Sequence, residues 1–328
     1  MNDVSTLHPY IVRYIAVKQA LGRGFLHEQD VLISLDQFLA RQNEQDLDAS
    51  NFAQWCHGKQ HLASGVLRNH MRIVRNFCLY RQRTVLDCFI PDKHLFPANH
   101  PPIQPHIFTE KQISCLLKAV NALPPSPVSP LRAAVFRLAI VLLYTAGLRR
   151  GELLRLTVGD YNPRNQVVTI TESKFHATRY LPLSSDATQE IDHYLSLRRQ
   201  HHLPTDADTP LIYNSQRGGR AYTGTSLRSV LRELMRTCDI HTAIGRSPRI
   251  HDFRHSFAVN ALLRWYREGA DVQAKLPLLA TYMGHVSIVS TEYYLHFIDE
   301  LAAVSSERFA THYAALVHPL AQQGDANE

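Results

Sequence analysis

Residues Tyr144–Tyr161 read YTAGLRRGELLRLTVGDY. The apolar run Ala133–Ala146, interrupted by Arg137, predicts a buried helix over Leu131–Gly147. Gly147 ends it, and Gly-Leu-Arg leads at once into a second helix over Gly151–Leu156. Such a junction holds Arg149 in a fixed place, where its planar fork of donors matches two non-bridging phosphate oxygens. Glu152, in the next turn, is placed to orient it.

The chain downstream alternates between elements that carry further cations. Gln166–Glu172 (QVVTITE) and Arg179–Leu183 (RYLPL) read as two strands of a hairpin, with Lys174 at its tip. A lysine there can reach a departing oxygen and protonate it. Ile250–Ala258 reads IHDFRHSFA. His251 and Arg254 lie three apart on one face of a helix start, and His255 is expected to point elsewhere. Tyr282–His296 reads YMGHVSIVSTEYYLH. Gly284 allows a tight turn that puts His285 at a helix start, and Tyr293 and Tyr294 follow as two rival phenols. A phenol becomes a nucleophile near neutral pH only beside cations and a base. Two arginines, a lysine, two histidines and a tyrosine are together a set that can attack a phosphodiester without a metal.

Upstream, the stretch at positions 91–107, PDKHLFPANHPPIQPHI, is rich in proline and reads as a linker. Thr109 and Gln112 then form a capping box that opens a helix through Ala119. Residues 1–105 therefore form one helical domain and 106–328 a second. Helices are expected over Pro9–Leu21, Glu28–Gln42, Asn51–His57 and Ser64–Gln82. In the last, Val66, Ile73, Phe77 and Tyr80 share a face opposite Arg68, Arg72 and Arg75, with Arg81 and Arg83 extending the charge. Beyond the hairpin, helices are expected over Ala187–Arg198, Gly224–Cys238, His255–Glu268, Pro277–Met283 and Glu300–Val317. Another basic stretch, Gln216–Arg254, includes Arg217, Arg220 and Arg228. Both groups of arginines fit a face that contacts DNA phosphates. The fold class is mainly α with a small β-sheet or hairpin: a helical first domain and an α+β second domain.

The 328 residues carry a net charge of +6 and are 45% hydrophobic, enough for two buried cores. The sequence pI near 9.1 favours an acidic partner such as nucleic acid. Five cysteines without a C-x-x-C pair argue against a disulfide framework or a zinc site and read as reduced thiols of a cytoplasmic protein. No signal peptide or membrane-spanning run is read from the sequence, and no H-E-x-x-H pairing suggests a metallohydrolase. No cofactor is expected.

Taken in order, G-L-R-x-x-E, a hairpin lysine, H-x-x-R-H, M-G-H and S-T-x-x-Y-x-H resemble the catalytic domain of the tyrosine recombinases, the phage-type integrases, over roughly residues 107–315. The helical first half resembles that family's core-binding domain. The resemblance assigns Arg149, Lys174, His251, Arg254 and His285 to the catalytic set and selects Tyr294 over Tyr293 as nucleophile. Two departures accompany it: the hairpin (SKFHATR, Ser173–Arg179) lacks the usual glycines, and the segment between His251 and His285 is extended, as in recombinases borne by transposon-like elements. The resemblance implies a site-specific recombinase that forms a 3′-phosphotyrosyl link, with integration, excision or transposition of a mobile element as its outcome. It further implies a tetramer on specific double-stranded DNA sites, docked through a C-terminal segment, with accessory or sister recombinases as further partners and a nucleoid location. A type IB topoisomerase shares the chemistry and is the alternative; a DNA-binding regulator without activity is a third.

Overall fold

The computed structural model describes residues 4–98, 104–124, 129–171, 178–285, 287, 289–292 and 294. The chain divides into two units, Met1–Ile103 and Gln104–Glu328.

The first unit is helical: α1 (His8–Ala20), α2 (Leu26–Gln42), α3 (Ala49–His57) and α4 (Ser64–Arg81). Leu7, Ile11, Leu32, Leu35, Leu39, Val74 and Phe77 form its core. Helix α3 starts on the Asp48–Asn51 capping box. The buried Asp36 carboxylate accepts from Ser5 and from His8 Nδ1 at 2.6 Å, tying the N-terminus to α2. The apolar stripe of α4 begins at Met71, and Val66, expected within it, is 44% exposed. The arginines of α4 do not all face solvent. Arg81 is buried and forms a fork with Asp46 at 2.5 and 2.7 Å. Arg68 Nη1 donates to the Pro97 carbonyl, and Arg75 Nη1 to the Pro91 carbonyl at 2.6 Å. The proline-rich segment has irregular carbonyls that need donors, and these two guanidinium groups supply them. Arg72 remains exposed and donates to Asn69.

The second unit is built around α6 (Arg132–Thr145). It follows α5 (Glu110–Asn121), which starts on the expected Thr109–Gln112 box. Phe136, Leu138, Ala139, Ile140, Leu142 and Leu143 of α6 are all 0% exposed, because α5, α8 and α10 surround that helix. Packing against three helices explains why α6 is mostly apolar, with Arg137 at its partly exposed face paired to Glu190. Helix α7 (Arg150–Arg155) leads into a three-stranded antiparallel sheet: β1 (Tyr161–Asn162), β2 (Val167–Ile170) and β3 (Arg179–Pro182). Val168 pairs with Leu181, and both point into the core. Next come α8 (Ser185–Gln200), the short pair β4 (Tyr213–Asn214) and β5 (Arg220–Ala221), and α9 (Gly224–Thr237). Helices α10 (Ile250–Arg267), α11 (Val272–Met283) and α12 (Val289–Glu292) complete the described fold. Arg198 of α8 is fully buried: it donates to the carbonyls of Pro204 and Pro210 and stacks on Tyr213 at 4.7 Å.

Two boundaries differ from the sequence reading. Helix α10 starts at Ile250, so His251 and Arg254 belong to the same helix as His255. Helix α11 starts at Val272 on the Asp271 cap, with Pro277 inside it. Proline near a helix start was expected to mark the first turn, but the Asp271 cap sets the start earlier. The strands β1, β4 and β5 are too short to produce an alternating pattern. The expected C-terminal helix Glu300–Val317 lies outside the described residues.

Two glycines fix the loops around the functional cluster. Gly147 and Gly284 have φ of +59° and +66°. A Cβ on Gly147 would sit 2.5 Å from Phe257 Cδ1. Gly147→Ala should therefore destabilise the second unit by about 2–4 kcal/mol, through the left-handed backbone and the displaced ring. Denaturant unfolding of the variant beside wild type measures it, and an unchanged midpoint would show that Phe257 moves aside freely.

Candidate active site

Glu152 anchors the cluster. It is the third residue of α7, and its Oε2 accepts the backbone N–H of Arg149 at 2.9 Å. The same carboxylate receives Arg149 Nη1 at 2.7 Å and the Arg179 fork at 3.0 and 2.9 Å. Arg149 Nη2 and Arg179 Nε reach over to the carbonyls of Gly284 and Tyr282, at 2.7 and 3.0 Å. The end of α11, the strand β3 and the start of α7 are thus joined through one side chain. Burial pushes the Glu152 carboxyl up, but the hydrogen bonds from Arg179 and Arg149 outweigh it and hold it down at about 2.

Arg254 is 1% exposed. Its Nη1 donates to the Gly147 carbonyl at 2.7 Å and its Nη2 to the Met283 carbonyl. Burial, then the neighbouring Arg149, lowers its guanidinium to about 10, so it stays charged near neutral pH. Arg149 and Arg254 therefore bracket the same pair of glycine turns, Gly147 and Gly284.

The histidines are held neutral. His285 sits just past the Gly284 turn, and its Nδ1 lies 2.8 Å from Thr291 Oγ1. Burial and then Arg254 and Arg149 lower its imidazole to about 4. His251 is lowered by desolvation, then by Arg254 and Arg249. A neutral imidazole is the form that accepts a proton.

Tyr294 is 3% exposed and lies in this cluster, its ring stacked on His285 with centroids 6.2 Å apart. The sequence reading sent His255 to a different face. Instead its ring meets both His251, at 4.7 Å, and Tyr294, at 5.4 Å. The i,i+4 spacing puts His255 on the same face of α10 as His251, while its contact with Tyr294 is tertiary and has no local signal. Arg179, read only as a strand residue, was also missed. Lys174 lies outside the described residues.

A cavity of about 570 Å³ opens beside His251, with Arg150, Arg228, Arg232 and Arg249 around a floor of Leu231 and Met235. Arg249 pairs with Asp252 at 2.7 Å, while Arg150, Arg228 and Arg232 have no carboxylate partner among the described residues. Of the basic residues expected at DNA, Arg228 is exposed on α9 and Arg220 is exposed on β5. The side chain of Arg217 is not described. Among the described residues no group of three or more His, Cys, Asp or Glu is placed to hold a metal ion, and no helix is long and apolar enough to cross a membrane.

The stabilisation that Glu152 contributes is full above about pH 4.5 and is lost as the pH falls toward about 2, because its folded-state value is depressed. Its size is about 3 kcal/mol. Glu152→Gln lacks this contribution. Denaturant unfolding of both proteins between pH 6 and pH 3 should show a gap that narrows below pH 4.5; a gap independent of pH would mean that the charge of Glu152 does not hold the arginines.

Residues 106–300 match the phage integrase family. An integrase/recombinase-type relative from Sinorhizobium fredii is 29% identical over 307 residues, covering 93% of this chain and 97% of that protein. Tyrosine recombinase XerC of Staphylococcus aureus is 26% identical over 279 residues, covering 83% and 85%. Among solved structures, the Tn1549 transposon integrase in complex with a circular intermediate DNA superposes with a TM-score of 0.62 at 16% identity, covering 94% of this chain and all 100% of that one. The XerH site-specific recombinase bound to palindromic difH substrate gives 0.60 at 17% identity, covering 88% and 78%. At such identities these structures share the fold, and the recombinase reading stands over the topoisomerase alternative. The chain belongs to the phage integrase family and is a tyrosine-type site-specific DNA recombinase.

Proposed function

We propose that Tyr294 is the nucleophile and that it acts in the active site of its own chain. The observation that carries this is the stacking of Tyr294 on His285, within the cluster that holds Arg149 and Arg254. The phenol oxygen attacks the scissile phosphorus, the bond to the 5′ oxygen breaks, and a 3′-phosphotyrosyl link forms. Arg149, Arg254 and His285 take up the charge that grows on the non-bridging oxygens. Such fixed donors are usually the largest single contribution to catalysis of this kind. His251 accepts the phenolic proton, and Lys174 supplies one to the departing 5′ oxygen. Attack by the 5′-hydroxyl of a partner strand reverses the step and completes the exchange.

The first unit serves as a core-binding domain on DNA, with Arg72 its best-supported phosphate contact; Arg68 and Arg75 contribute through the linker carbonyls they hold. In the second unit Arg217, Arg220 and Arg228 contact the backbone, joined by Arg150 and Arg232 of the cationic cavity. These contacts are plural, so each alone is worth little. The chain works as a tetramer on two recombination sites, docked through positions 300–328, and is found with the nucleoid. The product of the reaction is a moved, integrated or excised DNA element.

Trapping on nicked duplexes made from DNA flanking the gene tests the chemistry. Wild type should form a covalent protein–DNA adduct; Tyr294→Phe should bind the same duplex and form none; and Arg254→Lys should form it about 10²–10³-fold more slowly. An adduct from Tyr294→Phe would move the nucleophile elsewhere. Removing positions 300–328 should leave one protein bound per half-site and abolish pairing of two sites in a gel-shift assay; intact pairing would rule out docking through that segment.

A further inference from the structure

We propose that His255 is a positioning residue for the nucleophile: its ring packs on that of Tyr294 and fixes the phenol. The proposal rests on Tyr294 being the nucleophile. Three observations carry it. The His255 and Tyr294 rings meet with centroids 5.4 Å and planes 64° apart, while the His285 ring lies at 19° to the same ring. His255 is in turn packed edge-on to His251 at 4.7 Å, so one ring joins the residue proposed to take the proton and the residue proposed to lose it. And His255 is only 9% exposed, on a helix whose neighbours Asp252, Phe253, Arg254 and Ser256 are all buried, so its place is set by the core.

Tyr294 lies two residues past Val289–Glu292 (α12). In that helix Thr291 Oγ1 lies 2.8 Å from His285 Nδ1. An attacking oxygen must be held to within about half an ångström of its productive place. The rigid helix α10 supplies that precision through His255, by an edge-to-face contact of the kind aromatic pairs prefer. The ring does this uncharged. Burial and then His251 lower its imidazole to about 4, although Asp252 opposes the shift; Arg249 and Arg254, also beside it, add to the lowering.

A contact made by a ring is rescued by another ring, and a proton relay is not. On the duplex that gives the wild-type adduct, His255→Ala should cleave about tenfold more slowly with unchanged DNA affinity, whereas His255→Phe should stay within about twofold of wild type. Both variants should keep the wild-type pH profile. Replacing tyrosine by 3-fluorotyrosine gives a second measurement that needs no DNA. The ¹⁹F line that vanishes in Tyr294→Phe belongs to residue 294; it should move and broaden in His255→Ala and keep its place in His255→Phe. Equal rates and equal spectra in wild type and His255→Ala would overturn the proposal. So would a His255→Phe protein as slow as His255→Ala with a shifted pH profile, which would make His255 a proton carrier. If wild type gives no adduct on any flanking duplex, the reading of Tyr294 fails, and the ¹⁹F line still reports whether His255 holds that ring.

Discussion

The catalytic half of this molecule depends on one buried carboxylate. Glu152 is 2% exposed, yet it compensates two guanidinium groups and one backbone N–H. A carboxylate without partners at that depth would take up a proton instead. With Arg149 and Arg179 on it, the charged form wins, and three elements distant in sequence are brought to a common point. The arrangement does more than stabilise. It uses one face of the Arg149 guanidinium for Glu152 and another for the Gly284 carbonyl, which leaves the arginine no freedom to swing away from the cluster.

The same device occurs twice. Helix α7 starts after Arg149 and carries Glu152 at its third position; helix α10 starts after Arg249 and carries Asp252 at its third. In both, the acid accepts the backbone N–H of the arginine, at 2.9 Å and 2.7 Å, and a guanidinium donor of the same residue. The acid satisfies an orphan donor at the helix start and lies favourably in the dipole there. Each helix is therefore fixed at the end that faces the site, just where the candidate residues stand, Arg149 at one helix start and His251 and Arg254 at the other. Rigid helix ends are a better platform for phosphate chemistry than loops would be.

Much of this was legible in the sequence, for identifiable reasons. The buried helix α6 announces itself by an apolar run broken only by Arg137, and the sheet by β-branched residues at Val167–Ile170. Thr109 and Gln112 specify their cap within four residues. The candidate site residues could be ordered because each stands beside a local signal, Gly147 before Arg149 and Gly284 before His285. What could not be read depends on contacts between distant segments. Nothing near Arg179 points to Glu152, and nothing near His255 points to Tyr294. Arg68 and Arg75 show the converse: a clean charged stripe on α4 looked free for DNA, but the carbonyls of Pro97 and Pro91 engage two of its members. Helical periodicity gives the direction of a side chain and is silent on what comes to meet it.

The electrostatic state of the cluster is unbalanced in one direction. Arg149 has Glu152, but Arg254 is held only by the carbonyls of Gly147 and Met283, and no carboxylate contacts it among the described residues. A buried cation satisfied by neutral dipoles is costly, which is why its guanidinium is lowered to about 10. His285 avoids adding to that cost by staying neutral, with its imidazole lowered to about 4. In the proposed reaction a phosphodiester between Arg149 and Arg254 would supply the missing negative charge, most strongly as the phosphorus becomes five-coordinate and its oxygens gain charge. An unfavourable term of the free protein would then be relieved in the transition state, the direction in which binding energy becomes rate.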